Sequence, residues 1–278
     1  RYIRLCGHRH TNHRTNRHLD YQSIRIGDTY FVRLSPTAFN ETTNRRLRRL
    51  PAQRICVSSK NNNRRRFARA LIAGLLVASS MPPWGWWPLA FVGLAMFTSL
   101  ELTASSARQR FSTGFVFGLG WFFPALAWMW FLTAPGYIVG VAMYASLHGL
   151  ASLVVVRKDN NRSFLFLSPV AHMLIEALRM CVPFGGVPLA TLGIAQVGGP
   201  LHRVASIGGV ILLSWLTWQV GALLAKRPRD FSVDHQHRRL LWSLCLLVLV
   251  GSYFAPRGSN TGRDFHVVAV QGGGPQGT

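Results

Sequence analysis

Acidic residues are scarce in this chain: 9 Asp and Glu stand against 31 Lys and Arg, a formal net charge of +22 over 278 residues. Cysteine is nearly absent as well. The four that occur, Cys6, Cys56, Cys181 and Cys245, are far apart and form no CxxC pair, so neither a disulfide framework nor a zinc site is read. No apolar run precedes residue 67, which is too late for a cleavable signal peptide. Methionine is missing until Met81, so Arg1 need not be a natural start, and residues 1–66 need not belong to the working protein. Charged residues make up only 14% against 49% hydrophobic, which sets the chain apart from ordinary soluble domains and points to a membrane protein.

What charge there is lies mostly at one end. Residues 1–66 hold sixteen of the 31 Lys and Arg and only Asp20, Asp28 and Glu41 as acids. With "HRHTNHRTNRH", "NRRLRR" and "KNNNRRR", this stretch lacks sustained apolar periodicity and cannot offset the entropy of ordering it, so it is expected to be a disordered, cytoplasmic, basic extension. An arginine-rich arm can bind nucleic acid or anionic lipid by counterion release. Here no zinc-finger spacing, RNA-binding signature or aromatic platform accompanies it, and no nucleic-acid partner is read.

Residues 67–255 divide into seven apolar segments, about 67–82, 88–104, 111–133, 137–156, 163–180, 204–225 and 240–255. A bilayer core needs roughly 20 apolar residues per helix. The runs lack the alternation of a barrel, and an open sheet would leave backbone groups unpaired in lipid. The expected fold is therefore an all-α, multi-pass membrane helix bundle of about seven transmembrane helices. Alternate loops support that count. The second, fourth and sixth carry Arg108, Arg110, Arg157, Lys158, Arg162, Lys226, Arg227, Arg229, Arg238 and Arg239, whereas the others carry only Arg179 and Arg203. By the positive-inside bias the N-terminus lies in the cytoplasm, and seven crossings put the C-terminus outside.

Trp84, Trp86, Trp87, Trp128, Trp130 and Phe131 gather at the predicted outer interface, as a plain aromatic belt or as an entry for lipid. Gly114 with Gly118, and Gly136 with Gly140, have the spacing of close helix contacts. His172, Glu176 and Arg179 share one helical face. One His and one Glu are too few for a metal, so a polar cluster between helices or at the rim is expected, with a substrate-facing role as the alternative. His148 stands alone in its segment and reads as a hydrogen-bonded core residue.

The stretch "EALRMCVPFGGVPLATLGIAQVGGPL", Glu176 to Leu201, is too rich in Gly and Pro for a spanning helix and too apolar for a free loop. In order, Glu176, Arg179, Phe184, Gly185, Pro188, Leu192, Gly193 and Gln196 resemble the pattern of the apolipoprotein N-acyltransferase family, with Leu189 where that family often has Trp. "PPWGWWPLAFVGLA" from Pro82 is similar to the family's first helical hairpin, and "GFVFGLGWFFPALAW" from Gly114 to its third helix. The closing "VVAVQGGGPQGT" resembles the first strand of the family's nitrilase-like α/β/β/α domain. The resemblance runs from Arg69 to Thr278. On it, residues 256–278 are a linker and the remnant first strand of a truncated carbon–nitrogen hydrolase domain.

The resemblance implies acyl transfer, from a membrane phospholipid through a Cys thioester to the α-amine of a diacylglyceryl-cysteine on a lipoprotein, in the plasma (inner) membrane. It implies no cofactor. Glu176, Arg179, Phe184, Pro188 and Gln196 are the residues it offers for substrate binding. No catalytic residue is assigned, because none of the four cysteines maps onto the family's Glu-Lys-Cys set, and the chain on its own is expected to be inactive. Two other readings stay open. One is a non-catalytic anchor for a polyprenol-phosphate mannose synthase, as in mycobacteria-like relatives of the family. The other is a small-solute transporter, for which no inverted repeat is visible.

Overall fold

The computed structural model describes residues 2–6, 21–26, 29–34, 53–154, 161–182, 189–226, 228, 235–255 and 267–268. From Gln53 to Phe254 the described chain is entirely helical, with seven long helices: α1 (Gln53–Ser79), α2 (Pro88–Leu102), α3 (Ala107–Ala125), α4 (Ala134–Val154), α5 (Asn161–Cys181), α6 (Ala205–Leu224) and α7 (His235–Phe254). Each of the seven expected apolar segments falls on one of them. The first begins earlier than the apolar run: α1 starts at Gln53, so the polar "SSKNNNRRR" lies within the helix. Arg66 there donates to the carbonyls of Leu100 (2.8 Å) and Thr103 (2.9 Å), tying α1 to the end of α2.

Within residues 1–66 the described backbone includes three short strands. Tyr2–Cys6 (β1), Tyr21–Ile26 (β2) and Thr29–Leu34 (β3) pair antiparallel in the order β1-β3-β2. "TYFVRL" is rich in β-branched and aromatic residues, and Ile26 faces Thr29 across a two-residue Gly-Asp connection, a hairpin length. At the other end, the expected strand within 264–278 lies outside the described residues except for Val267 and Val268, which carry no strand and are exposed.

Local chemistry sets the helix ends. Pro88 occupies the first turn of α2, where its missing N–H costs nothing. At α3 the Ser106 hydroxyl accepts from the Gln109 N–H (3.2 Å), while the Gln109 side chain accepts from the Ser105 N–H (2.9 Å), a variant of the capping box. Pro124 ends α3 one residue later, and the chain continues as a 3-10 turn over Ala127–Phe131.

Polarity is distributed as lipid requires and opposite to a soluble bundle. Glu101, His148, His172, Glu176, Arg179 and Gln219 are buried, while Phe131, Val139, Val154, Leu247 and Phe254 are each at least 66% exposed. Among the described residues, three helices are long and apolar enough to cross a membrane: Ala134–Val154, Phe164–Cys181 and His202–Leu224. The other expected crossings fall short by composition or length. α2 has 15 residues, α3 opens on "ARQR" and α7 on "HQHRR".

α3 packs between α1 and α4, and α6 lies against α2, α5 and α7. Of the expected glycine contacts, Gly114 and Gly118 hold: a Cβ on Gly118 would sit 2.6 Å from the Cα of Ala145, and one on Gly114 would sit 2.6 Å from the carbonyl of His148. Gly136 and Gly140 do not, since Gly136 meets only the Thr133 side chain and Gly140 faces open space. Aromatic rings fill the centre. Phe97 stacks on Phe117 at 4.0 Å, and Trp121 on Phe122 at 4.8 Å.

Candidate functional site

One face of α5 carries the site. Ser168, His172, Glu176 and Arg179 follow one another at helical spacing, and none is more than 2% exposed. The first two face α2 and α4. Glu176 and Arg179, one turn further on, face α6 and the segment that follows α5.

The Glu176 carboxylate gathers three donors from two places. Oε2 accepts from the Leu192 N–H (3.1 Å) and the Ser214 hydroxyl (2.8 Å), and Oε1 from the Trp218 indole N–H (3.3 Å). Ser214 and Trp218 lie one turn apart on α6, so both reach the same carboxylate. Leu192 opens a one-turn helix, Leu192–Ala195, whose first N–H groups have no partner inside the turn. Glu176 thereby pins the segment after α5 to α6 through a backbone group.

Arg179 holds the same segment from the other side. Its Nη2 donates to the carbonyls of Leu189 (2.5 Å) and Ala190 (3.4 Å), and its guanidinium carbon lies 4.5 Å from the Phe122 ring centre and 4.6 Å from that of Tyr144. Ala190 has φ +47°, a left-handed conformation that a non-glycine residue keeps only where its surroundings fix it. No ion pair joins Glu176 to Arg179 among the described residues. The two side chains instead act as separate straps on one segment, within a buried polar cluster between helices.

Gln196 is fully buried, with neither amide atom hydrogen-bonded, and its oxygen is 2.9 Å from where a Cβ on Gly199 would stand. The same position is 3.2 Å from the Trp87 ring, so that indole rests on Gly199. Beside it an open cavity of about 530 Å³ is lined by Gly85, Trp86, Trp87, Pro88 and Leu89. Phe184, Gly185 and Pro188 lie outside the described residues. Leu189 packs on the main core.

A break in α6 makes room for the one-turn helix. Gly208 and Gly209 leave helical geometry, with Gly209 at φ +65° and ψ −166°, a region open essentially to glycine alone. The following residue, Val210, packs on Gly193, where a Cβ would come within 2.9 Å of it. Gly209→Ala should therefore cost about 1–3 kcal/mol of backbone strain although no atom lies within 4 Å of the new methyl group. Denaturant unfolding in detergent micelles checks this, and an unchanged midpoint would contradict it.

Sequence reasoning placed His172, Glu176 and Arg179 on one face, and the structure agrees. It missed Glu101, the sole acid of α2, whose carboxylate accepts from Ser152 and Ser168 and pairs with His172. It also took His148 as solitary, whereas the Nδ1 atoms of His148 and His172 are 3.0 Å apart. An acid within an apolar run was the available signal for Glu101. Of the cysteines whose side chains are described, Cys181 is exposed, and Cys245 is buried in a cluster of Leu, Trp and Phe residues. No grouping of His, Cys, Asp and Glu suited to a metal occurs among the described residues.

Residues 73–223 match the family model described as the apolipoprotein N-acyltransferase N-terminal domain. The chain is 29% identical over 222 residues to an apolipoprotein N-acyltransferase of Pseudomonas paraeruginosa, an alignment that covers 73% of this chain and 43% of that protein. It is 34% identical over 157 residues to one of Mycolicibacterium smegmatis, covering 55% of this chain and 26% of the relative. With the enzyme of Haemophilus influenzae it shares 26% identity over 196 residues, 67% and 37% of the two chains. The chain thus spans less than half the length of these relatives, and their names give no support to a mannose-synthase partner. With the family model matching more than half of its residues, over the helices that build the Glu176 and Arg179 straps, the chain belongs to the apolipoprotein N-acyltransferase family.

Proposed function

We propose that this chain is the membrane part of an enzyme that takes an acyl chain from a phospholipid and passes it to the α-amine of a diacylglyceryl-cysteine at a lipoprotein N-terminus. In that chemistry a thiolate displaces the lysophospholipid alkoxide from the ester carbonyl to form a thioester. The lipoprotein amine then displaces the thiolate to form the amide, losing one proton to the base. No group of this chain is assigned as nucleophile or base.

The observation that supports the reading is the doubly strapped segment between α5 and α6. Five polar bonds from Glu176 and Arg179, three to Leu189, Ala190 and Leu192 and two to α6, hold the described part of that stretch in place. Glu176 and Arg179 are positioning residues in this account. Phe184, Pro188 and Gln196 are the side chains offered to substrate. The exposed Trp86, Trp128, Trp130 and Phe131 form an aromatic rim at the membrane surface where a phospholipid and a lipidated peptide meet the segment. All seven helices cross the plasma membrane, with the N-terminus in the cytoplasm and the segment outside.

A chimera tests the activity. Residues 53–255 joined to the remainder of the mycobacterial relative should N-acylate a diacylglyceryl peptide in phospholipid vesicles, and a folded chimera without product would overturn the assignment. Topology is tested by reporter fusions. A phosphatase that works only outside the cytoplasm should be active when fused after residue 198 and inactive within 226–239. The reverse pattern removes a crossing from the count.

A further inference from the structure

Acyl transfer as proposed leaves a second buried acid unused. Glu101, at the end of α2, is 4% exposed. Its Oε1 accepts from the Ser152 hydroxyl of α4 at 2.8 Å and lies 3.1 Å from Nε2 of His172, while Oε2 accepts from the Ser168 hydroxyl of α5 at 2.7 Å. The other ring nitrogen of His172 is 3.0 Å from Nδ1 of His148 on α4. Both imidazoles are fully buried and nearly parallel, with centres 5.2 Å apart, and the Trp218 indole of α6 stacks on His172 at 4.5 Å.

Two protons are the least that these contacts need, one between Nε2 and the carboxylate and one between the two Nδ1 atoms. Two neutral imidazoles supply both, but the unit then carries the whole negative charge of Glu101. The same distances fit a unit with one proton more, in which His172 donates from both nitrogens and His148 accepts on Nδ1. His148 Nε2 has no partner in either case. Hydrogen bonding does not separate the two states, and charge does. An unbalanced carboxylate in an apolar interior is strongly disfavoured.

The rings packed against Glu101 and His172 carry no charge. α2 and α3 present Phe97 and Phe117, and α6 presents Trp218. Among the described residues, His172 is the one basic side chain at ion-pair distance from Glu101. Arg66 of α1 donates to the Leu100 and Thr103 carbonyls, and Arg179, beside Tyr144, stands over the Trp121 and Phe122 rings that also meet His148. Glu176 has Arg179 three residues away to balance it, whereas Glu101 has only the imidazoles.

We propose that Glu101, His172 and His148 form one proton-binding site, holding a proton beyond those of two neutral imidazoles, and that this proton locks α2, α4 and α5 together. The proposal is independent of the acyl-transfer reading.

The test uses the chain in lipid nanodiscs at about pH 8, where histidines with the ordinary value near 6.5 are neutral. Nitrogen-15 spectra of the labelled histidines and the infrared carbonyl region are recorded for the chain and for Glu101→Gln. The expected result is one imidazolium, or one protonated-carboxyl band, that Glu101→Gln removes. Only neutral imidazoles with no such band, or a signal that Glu101→Gln leaves in place, would overturn the site. If Glu101→Gln does not assemble, Ser152→Ala withdraws one donor from the same carboxylate and must shift that signal. A signal it does not shift also overturns the proposal.

Discussion

Glu176→Ala is expected to destabilise the folded bundle by about 3–5 kcal/mol, as breaking a buried, hydrogen-bonded charge does. The carboxylate is fully buried, so water does not replace it. Its removal strands the Leu192 N–H, the Ser214 hydroxyl and the Trp218 indole N–H, and leaves Arg179 in its aromatic cage with no acid nearby. Glu176→Gln keeps one acceptor oxygen and should recover about half of the loss, because its NH₂ then faces a donor where an acceptor is required. Denaturant titration in mixed micelles, followed by tryptophan fluorescence, reads both values. Trp218 is itself a partner of Glu176 and reports on the site directly. A loss below about 1 kcal/mol for the alanine variant, in the range of an ordinary surface substitution, would mean that Glu176 is solvated and the strap does not exist.

The places where this architecture was legible in the sequence share one property: the signal is local. The helix break at "MPPWGWW" separates α1 from α2, because Pro and Gly act on the backbone within a turn, whereas the Ala-Pro-Gly of "TAPG" falls in the first turn of α4. His172, Glu176 and Arg179 share a face because helical period is a property of one segment. What the sequence does not carry is which segments meet. Glu101 reaches Ser152, Ser168 and His172 across separations of 51, 67 and 71 residues, and His148 meets His172 across 24. No spacing rule within a helix connects those positions. The same gap explains the glycines. Gly114 with Gly118 and Gly136 with Gly140 have identical spacing, yet only the first pair faces another helix, since the motif says nothing of which way the face turns. Glu176 and Arg179 share the expected face and a polar cluster was the expectation, but the sequence does not name the partners. Their partners are a backbone N–H, a hydroxyl, an indole and two carbonyls on other elements, none of which a pattern of charges displays.

The second large effect is expected at Gly74, a position no motif marked. Here α1 and α3 cross backbone to backbone. A Cβ on Gly74 would lie 2.1 Å from the Phe117 carbonyl oxygen and 2.7 Å from the Trp121 nitrogen, and one on Gly120 would lie 2.4 Å from the Leu71 carbonyl oxygen. Main-chain atoms in helices cannot rotate away as a side chain does. Gly74→Ala therefore forces the two helices apart by about an ångström, opening the contacts of Phe117 and Trp121 on which the aromatic centre is built. The expected cost is about 3 kcal/mol, the upper part of the usual range for overpacking. Gly140→Ala is the internal control, because that glycine is also in mid-helix but has nothing within 4 Å of the added methyl. There the better helix propensity of alanine should stabilise by up to about 1 kcal/mol. The two substitutions make the same chemical change in the same kind of segment, and opposite shifts of the unfolding midpoint are the expected result. Equal shifts, of either sign, would mean that α1 and α3 do not cross at Gly74 and Gly120, and with that crossing the packing order of the first three helices would have to be redrawn.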